Sequence, residues 1–191
     1  MRLILYGPEG SGKGTQAKLL SEKLGIPILT SGDLVRNAAV NDTGHIGDVC
    51  RSALENGTYV ADEDMFILWK QKLKEHISGS GWILDGFPRN VGQAVFLDTL
   101  LSEIGQRVDR VIYISISEEE SLKRLIKRAR PLHSGSSELH DSPGRIQMRL
   151  NVYKAGQKEL LDYYHKKNIL IKIQGERSIE EVNTDIISRL P

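Results

Sequence analysis

The chain has 191 residues, 39% of them hydrophobic and 27% charged, with 26 basic against 25 acidic side chains and a formal net charge of +1. This is the composition of one folded domain, which excludes a disordered chain, and the bulk charge gives no reason to expect nucleic acid or a membrane as a partner. A single cysteine, Cys50, excludes an intramolecular disulfide and any all-cysteine metal site, so no zinc site is expected.

The opening run Arg2-Leu3-Ile4-Leu5-Tyr6 predicts a strand. It is too short for a signal peptide, and no stretch approaches the roughly 20 apolar residues of a membrane span, so a cytoplasmic address is expected. The glycine-rich run Gly7-Pro8-Glu9-Gly10-Ser11-Gly12 follows. Residues 13–24 then carry Ala17, Leu20 and Leu24 at helical spacing, and Gly25 is a natural stop. Residues 27–29 predict a second short strand, and Thr30 to Asp33 offer capping groups before Leu34-Val35-Arg36.

Residues 44–55 predict a helix ending at Asn56-Gly57, and Asp62-Glu63 opens another through residue 76. A turn at 78–81 leads into the apolar strand Trp82-Ile83-Leu84-Asp85, followed by a helix over 91–104. Residues 110–116 predict a buried strand, and Ser117 with Glu118, Glu119 and Glu120 a capped start for a basic helix through 129. Residues 131–144, rich in serine, glycine and proline, form a loop of a length that is usually functional or mobile. A long helix over 142–166, a last strand over 169–173 and a last helix over 178–190 complete the chain. Strands alternating with helices argue for a parallel sheet covered on both faces.

The glycine loop lies between a strand and a helix, where backbone N–H groups can surround phosphate oxygens and Lys13 can supply a mobile cation. A bare glycine turn is the alternative. The pattern departs from the strict phosphate-loop form, because Gly14 follows the lysine and the hydroxyl arrives at Thr15. Asp85 ends an apolar strand and is followed by glycine. It either organises Mg²⁺ through bound water or serves as a turn aspartate.

The runs GPEGSGKGTQ, TSGDLVR and DGFPRNVGQA, in this order and spacing, resemble the adenylate kinase family of nucleoside monophosphate kinases, and the resemblance extends over the whole chain. It implies a P-loop α/β three-layer fold with a five-stranded parallel sheet. Residues 1–191 would form a single nucleotide kinase domain with an AMP-binding insertion at 30–60 and a short lid at 127–146. It implies reversible, Mg²⁺-dependent transfer from ATP to AMP to give two ADP, by a monomer. ATP would be held by Gly10, Ser11, Gly12, Lys13, Gly14 and Thr15, with Arg124, Arg128 and the backbone at Arg177. AMP would be held by Ser31, Arg36, the backbone around Thr58, Tyr59 and Val60, then Gly86, Phe87, Pro88, Arg89, Gln93 and Arg149. Catalysis would rest on Lys13, Arg89, Arg128 and Arg149.

The chemistry agrees with that implication. The attacking phosphate oxygen is already ionised near neutral pH, so catalysis reduces to positioning and charge stabilisation. The two nucleotides together bring about six negative charges, which suits a convergent set of arginine forks. Taken singly, each of those arginines reads as readily as a solvated surface charge. Gln93 can pair with an adenine edge or merely add polarity to its helix.

The chain departs from the family pattern in places. Glu9 stands where a proline or small residue is usual, and is expected to face solvent or a neighbouring arginine. Thr30-Ser31 inverts a Ser-Thr pair, and Tyr59 replaces a leucine. The lid arginine expected eleven residues before Arg149 is Glu138 here, with His140-Asp141 in place of an acidic pair. Arg130 or Arg145 is the expected substitute. Arg145 precedes Arg149 by one helical turn and so shares its face. His133, His140 and Asp141 read as a polar loop rather than a metal site. Cys50 reads as a packed or surface helix residue rather than a nucleophile, and Trp69 and Trp82 as core or flanking packing residues. Two rivals remain: a UMP/CMP kinase of the same fold, and a nucleotide-binding protein with low transferase activity.

Overall fold

In the computed structural model, which describes residues 1–76, 79–131 and 139–191, the first strand β1 (Arg2–Tyr6) runs into the centre of a sheet. Its side chains alternate in the manner a strand buried on both faces requires. Ile4 and Tyr6 enter one hydrophobic layer, Leu3 and Leu5 the other. The remaining strands are β2 (Ile28–Thr30), β3 (Trp82–Asp85), β4 (Arg110–Ser115) and β5 (Leu170–Gln174). All five pair in parallel in the order β2-β3-β1-β4-β5. Register sets Leu5 beside Asp85 and Tyr6 beside Tyr113, so the phosphate-loop entry and the Asp85 carboxylate share the C-terminal edge of the sheet.

Eight helices complete the described fold: α1 (Lys13–Leu24), α2 (Ser31–Asn41), α3 (His45–Asn56), α4 (Asp62–Lys74), α5 (Val91–Ser102), α6 (Glu118–Arg128), α7 (Pro143–Lys166) and α8 (Ile179–Ser188). α1 and α8 cover one face, around Ala17, Leu20, Val182 and Ile186. α2 to α5 and the C-terminal half of α7 cover the other, around Trp69, Leu97, Leu160 and Tyr164. A small third cluster of Leu125, Ile146 and Leu150 locks α6 to the start of α7. Trp69 and Trp82 are core residues, and Cys50, for which a packed or a surface position was open, is buried.

Four of the eight described helices start on a side-chain cap. Thr30 accepts from Asp33 N at 3.0 Å, Ser117 from Glu120 N at 3.2 Å, and Ser178 forms a capping box with Glu181. α1, like α3, α4 and α7, has no side-chain cap. Its N-cap is Gly12 at φ 93°, with no side-chain cap and no acid in the first turn. The positive end of the α1 dipole therefore meets no built-in carboxylate on its own helix. The connection leaving β1 crosses to one side of the sheet and that leaving β3 to the other. A crevice opens at this switch point, beyond the strand C-termini.

Candidate functional site

The glycine loop fills the mouth of that crevice. Gly7 takes φ 148°, and a Cβ there would lie 2.3 Å from the Ile114 carbonyl oxygen, so only glycine lets β1 turn against β4. The loop is pinned from α6, where Ser121 Oγ donates to the Glu9 carbonyl at 2.6 Å. Ser11 is 2% exposed and its hydroxyl has no hydrogen-bond partner among the described residues, an orphaned polar atom inside a loop suited to an anion. Lys13 Nζ folds back to donate to the Gly7 and Pro8 carbonyls, each at 2.8 Å. Burial lowers the Lys13 ammonium against the opposing pull of Asp85 and Glu9, and burial raises the Asp85 carboxyl against Lys13 and Arg89. Both groups sit among further charges at the same end of the sheet.

The arginines named from sequence reach this end by different routes. Arg124, from the middle of α6, donates to Gly10 O at 3.3 Å and Gly175 O at 3.1 Å, and pairs with Glu120 at 2.7 Å. It thus ties the phosphate loop to the segment after β5. Arg128 grips both oxygens of Asp141, at 2.7 and 2.9 Å. Arg149, on α7 and only 3% exposed, donates to three acceptors. They are Glu9 Oε2 at 2.8 Å, the His140 carbonyl at 2.6 Å and Asp141 Oδ1 at 3.0 Å. Arg89 donates through Nε to Gly86 O at 2.8 Å, and its guanidinium lies 3.8 Å above the Tyr59 ring. The Tyr59 hydroxyl in turn donates to Glu9 Oε1 at 3.3 Å.

Glu9 and Asp141 are therefore the carboxylates that pair with Arg128 and Arg149. Burial would raise the Glu9 carboxyl, but Arg149, Lys13, His140 and Arg128 together hold it below the ordinary range. Asp141 is likewise opposed by burial. The Arg128 fork, the Arg130 N–H and His140 depress it far below the usual carboxylate value. Burial and the charges of Arg130 and Arg149 lower the His140 imidazole. Ligating atoms of Glu9, His140 and Asp141 lie within 4.8 Å of one another. Arginines already hold both carboxylates, so the donor set reads as an ion-pair network. His133 and Glu138 lie outside the described residues.

On the opposite side, the Ser31 hydroxyl donates to Gly86 O at 2.8 Å. Phe87 is buried and joined to Pro88 by a cis peptide. Gln93 is 5% exposed. Its oxygen accepts from Arg89 N at 2.7 Å and its nitrogen donates to Asp62 Oδ1 at 2.6 Å. Asp62 also accepts from Asn90 at 2.8 Å. Asp62 and Asn90 join the hydrogen bonding around Gln93, and sequence reasoning had not singled them out. The only local signal was that each opens a helix. Arg36 and Arg177 are less converged: Arg36 pairs with Asp33 at 2.7 Å and Arg177 with Asp185 at 2.5 Å, both at the surface. Thr58 and Tyr59 follow the left-handed Gly57 that closes α3, with Val60 beyond them half-buried. A Cβ on Gly57 would lie 2.5 Å from Arg145 Nη1, so Arg145 of α7 reaches across to this segment. Arg130 instead contacts His140 at 2.9 Å.

Comparison with known proteins points the same way. The family model for adenylate kinase matches residues 5–169. Adenylate kinase 1 of a Nostoc species is 38% identical over 189 residues, covering 99% of this chain and 98% of its own length. An adenylate kinase of a Cyanothece species is 40% identical, covering 97% and 92%, and that of Archaeoglobus fulgidus 36%, covering 97% and 96%. A near-complete match in both directions, on a five-stranded parallel sheet whose first strand runs through a glycine loop into the uncapped α1, places the chain in the adenylate kinase family.

Proposed function

We propose that the chain catalyses reversible transfer of the terminal phosphoryl group of ATP to AMP, giving two ADP, with Mg²⁺. The observation that carries this reading is the uncapped, acid-free start of α1 behind a loop with an orphaned Ser11 hydroxyl, met by Lys13, Arg128 and Arg149. Loop N–H groups from Gly10 to Thr15 and the α1 dipole would hold the ATP phosphates, with Lys13 swinging from its two carbonyls onto them. Arg124 and Arg128 would steady the triphosphate, and the Arg177 backbone would lie beside its base.

AMP would enter from the other side. Arg36 and Arg89 would hold its phosphate, Ser31, Thr58, Tyr59 and Val60 would line its nucleoside, and Gln93 would read its base edge. Gly86, Phe87 and Pro88 form the floor. Arg149, between the two subsites, would bear on the charge that develops as the phosphoryl group passes. Asp85, a hard carboxylate at the strand end whose Oδ2 lies 3.7 Å from where a Cβ on Gly14 would sit, one residue before Thr15, fits a mostly hydrated Mg²⁺. Bound there, the ion would neutralise phosphate charge. The protein's own part is to orient both nucleotides and exclude water.

Residues 30–60 would move as the AMP-side segment and 127–146 as a short lid, on a monomer that needs no nucleic acid or membrane partner. The test is a coupled ADP-formation assay with ATP, Mg²⁺ and each of AMP, CMP, UMP and GMP. AMP is expected to be preferred, and Lys13→Met to lower turnover by about 10²-fold or more. Preference for UMP or CMP, or undiminished turnover in Lys13→Met, would overturn the reading.

A further inference from the structure

Glu9 lies on the loop expected to receive the most anionic ligand, and there it collects the very cations that ligand needs. Its carboxylate is 2.8 Å from Arg149 Nε and 3.7 Å from Arg128 Nη2. Lys13 acts on it electrostatically. The Tyr59 hydroxyl, beneath the Arg89 guanidinium, donates to its second oxygen at 3.3 Å. A carboxylate held by guanidinium forks presents oxygens much as a phosphoryl group does.

We propose that Glu9 is an internal anion that holds these cations in the nucleotide-free protein and is displaced by the incoming phosphates. It thereby sets the affinity of the ATP subsite. The inference deepens the proposed phosphoryl-transfer reading and rests on it.

Asp141 shares Arg149 with Glu9 but is a different kind of group. Its side chain is fully buried, whereas that of Glu9 is 28% exposed. Asp141 is gripped at both oxygens by Arg128 and again by the Arg130 N–H at 3.2 Å. Asp141 is fixed framework; Glu9 is the anion with a path to solvent. When it swings out, Arg149 keeps its bonds to Asp141 and the His140 carbonyl, and Nε becomes available to a phosphate oxygen.

The experiment is calorimetric titration of MgATP, without AMP, into the unsubstituted protein and into Glu9→Gln, repeated with tripolyphosphate as a base-free probe. Glu9→Gln keeps the shape and removes the charge. It is expected to bind both ligands about fivefold or more tightly, the equivalent of one part-exposed charge contact no longer competing. The gain should shrink as salt is raised. Glu9→Ala is read in the same way, so the result does not depend on one variant folding. Equal or weaker binding by both variants overturns the inference, because a residue that merely held Arg149 in place would weaken binding when removed. ADP formation by the unsubstituted protein is measured in parallel. Its absence would count against the activity, whereas the binding ratio judges Glu9 alone.

Discussion

Asp62 is the hinge of the hydrogen bonding around Gln93, and replacing it makes a demanding test. Asp62→Ala deletes the acceptor of Gln93 Nε2 at 2.6 Å and Asn90 Nδ2 at 2.8 Å. Hydrogen bonds to an ionised acceptor contribute about 1.5–3 kcal/mol each, but two that share one carboxylate do not simply add. Asn90, half-buried, can turn to water; Gln93, at 5% exposure, cannot. We therefore expect a loss of about 3 kcal/mol, which in a domain of this size lowers the melting temperature by about 6–12 °C.

The functional consequence should be one-sided. The Gln93 oxygen accepts from Arg89 N at 2.7 Å, so an unanchored amide also loosens Arg89. KM for AMP should rise about tenfold while KM for ATP stays close to its starting value. Asp62→Asn, which retains an acceptor oxygen, should lose about half as much stability. Thermal melts and steady-state kinetics on the three proteins read both effects. A melting temperature within about 2 °C of the starting protein, or equal rises in both KM values, would refute the reasoning.

Tyr59→Leu removes the ring under Arg89 and should raise KM for AMP about three- to tenfold, whereas Tyr59→Phe keeps the stack and most of the affinity. Steady-state titration of AMP distinguishes them. Gly156→Ala places a Cβ 2.9 Å from the Arg89 carbonyl oxygen, pressing α7 against the AMP side. It should cost about 1–3 kcal/mol by denaturant unfolding. Asp141, whose carboxyl is depressed on folding, contributes stability that is fully present above the unfolded carboxylate range and is lost as pH falls through the depressed folded value. Melting temperature should therefore fall below about pH 5, and less steeply in Asp141→Asn than in the starting protein. Identical acid profiles would remove Asp141 from that account.

The elements were legible because their signals are local. Ser117 followed by three glutamates predicted the capped start of α6, and the structure adds a capping box at Ser178 that opens α8. The glycine loop was readable from its place between β1 and α1. The caps at Thr30 to Asp33 announced a helix start, although not that α2 runs to Asn41. Glu9 was expected to face either solvent or a neighbouring arginine, and it pairs with an arginine. What sequence did not show was which arginine.

Glu9 and Arg149 are 140 positions apart, and Gln93 and Asp62 are 31 apart. Such pairs exist only once sheet order and helix docking bring the segments together. Arg124 illustrates the reverse error. Taken singly it read as readily as a solvated surface charge of the basic α6, yet its side chain bridges Gly10 and Gly175.

The most direct test of the account follows ³¹P resonances of an equimolar mixture of ATP and AMP with Mg²⁺ after adding the protein. The account expects the γ-phosphate signal to decline as ADP signals grow, two ADP for each ATP consumed, and the same mixture to be reached from ADP alone. Release of inorganic phosphate without ADP formation from AMP, or an unchanged spectrum, would contradict it.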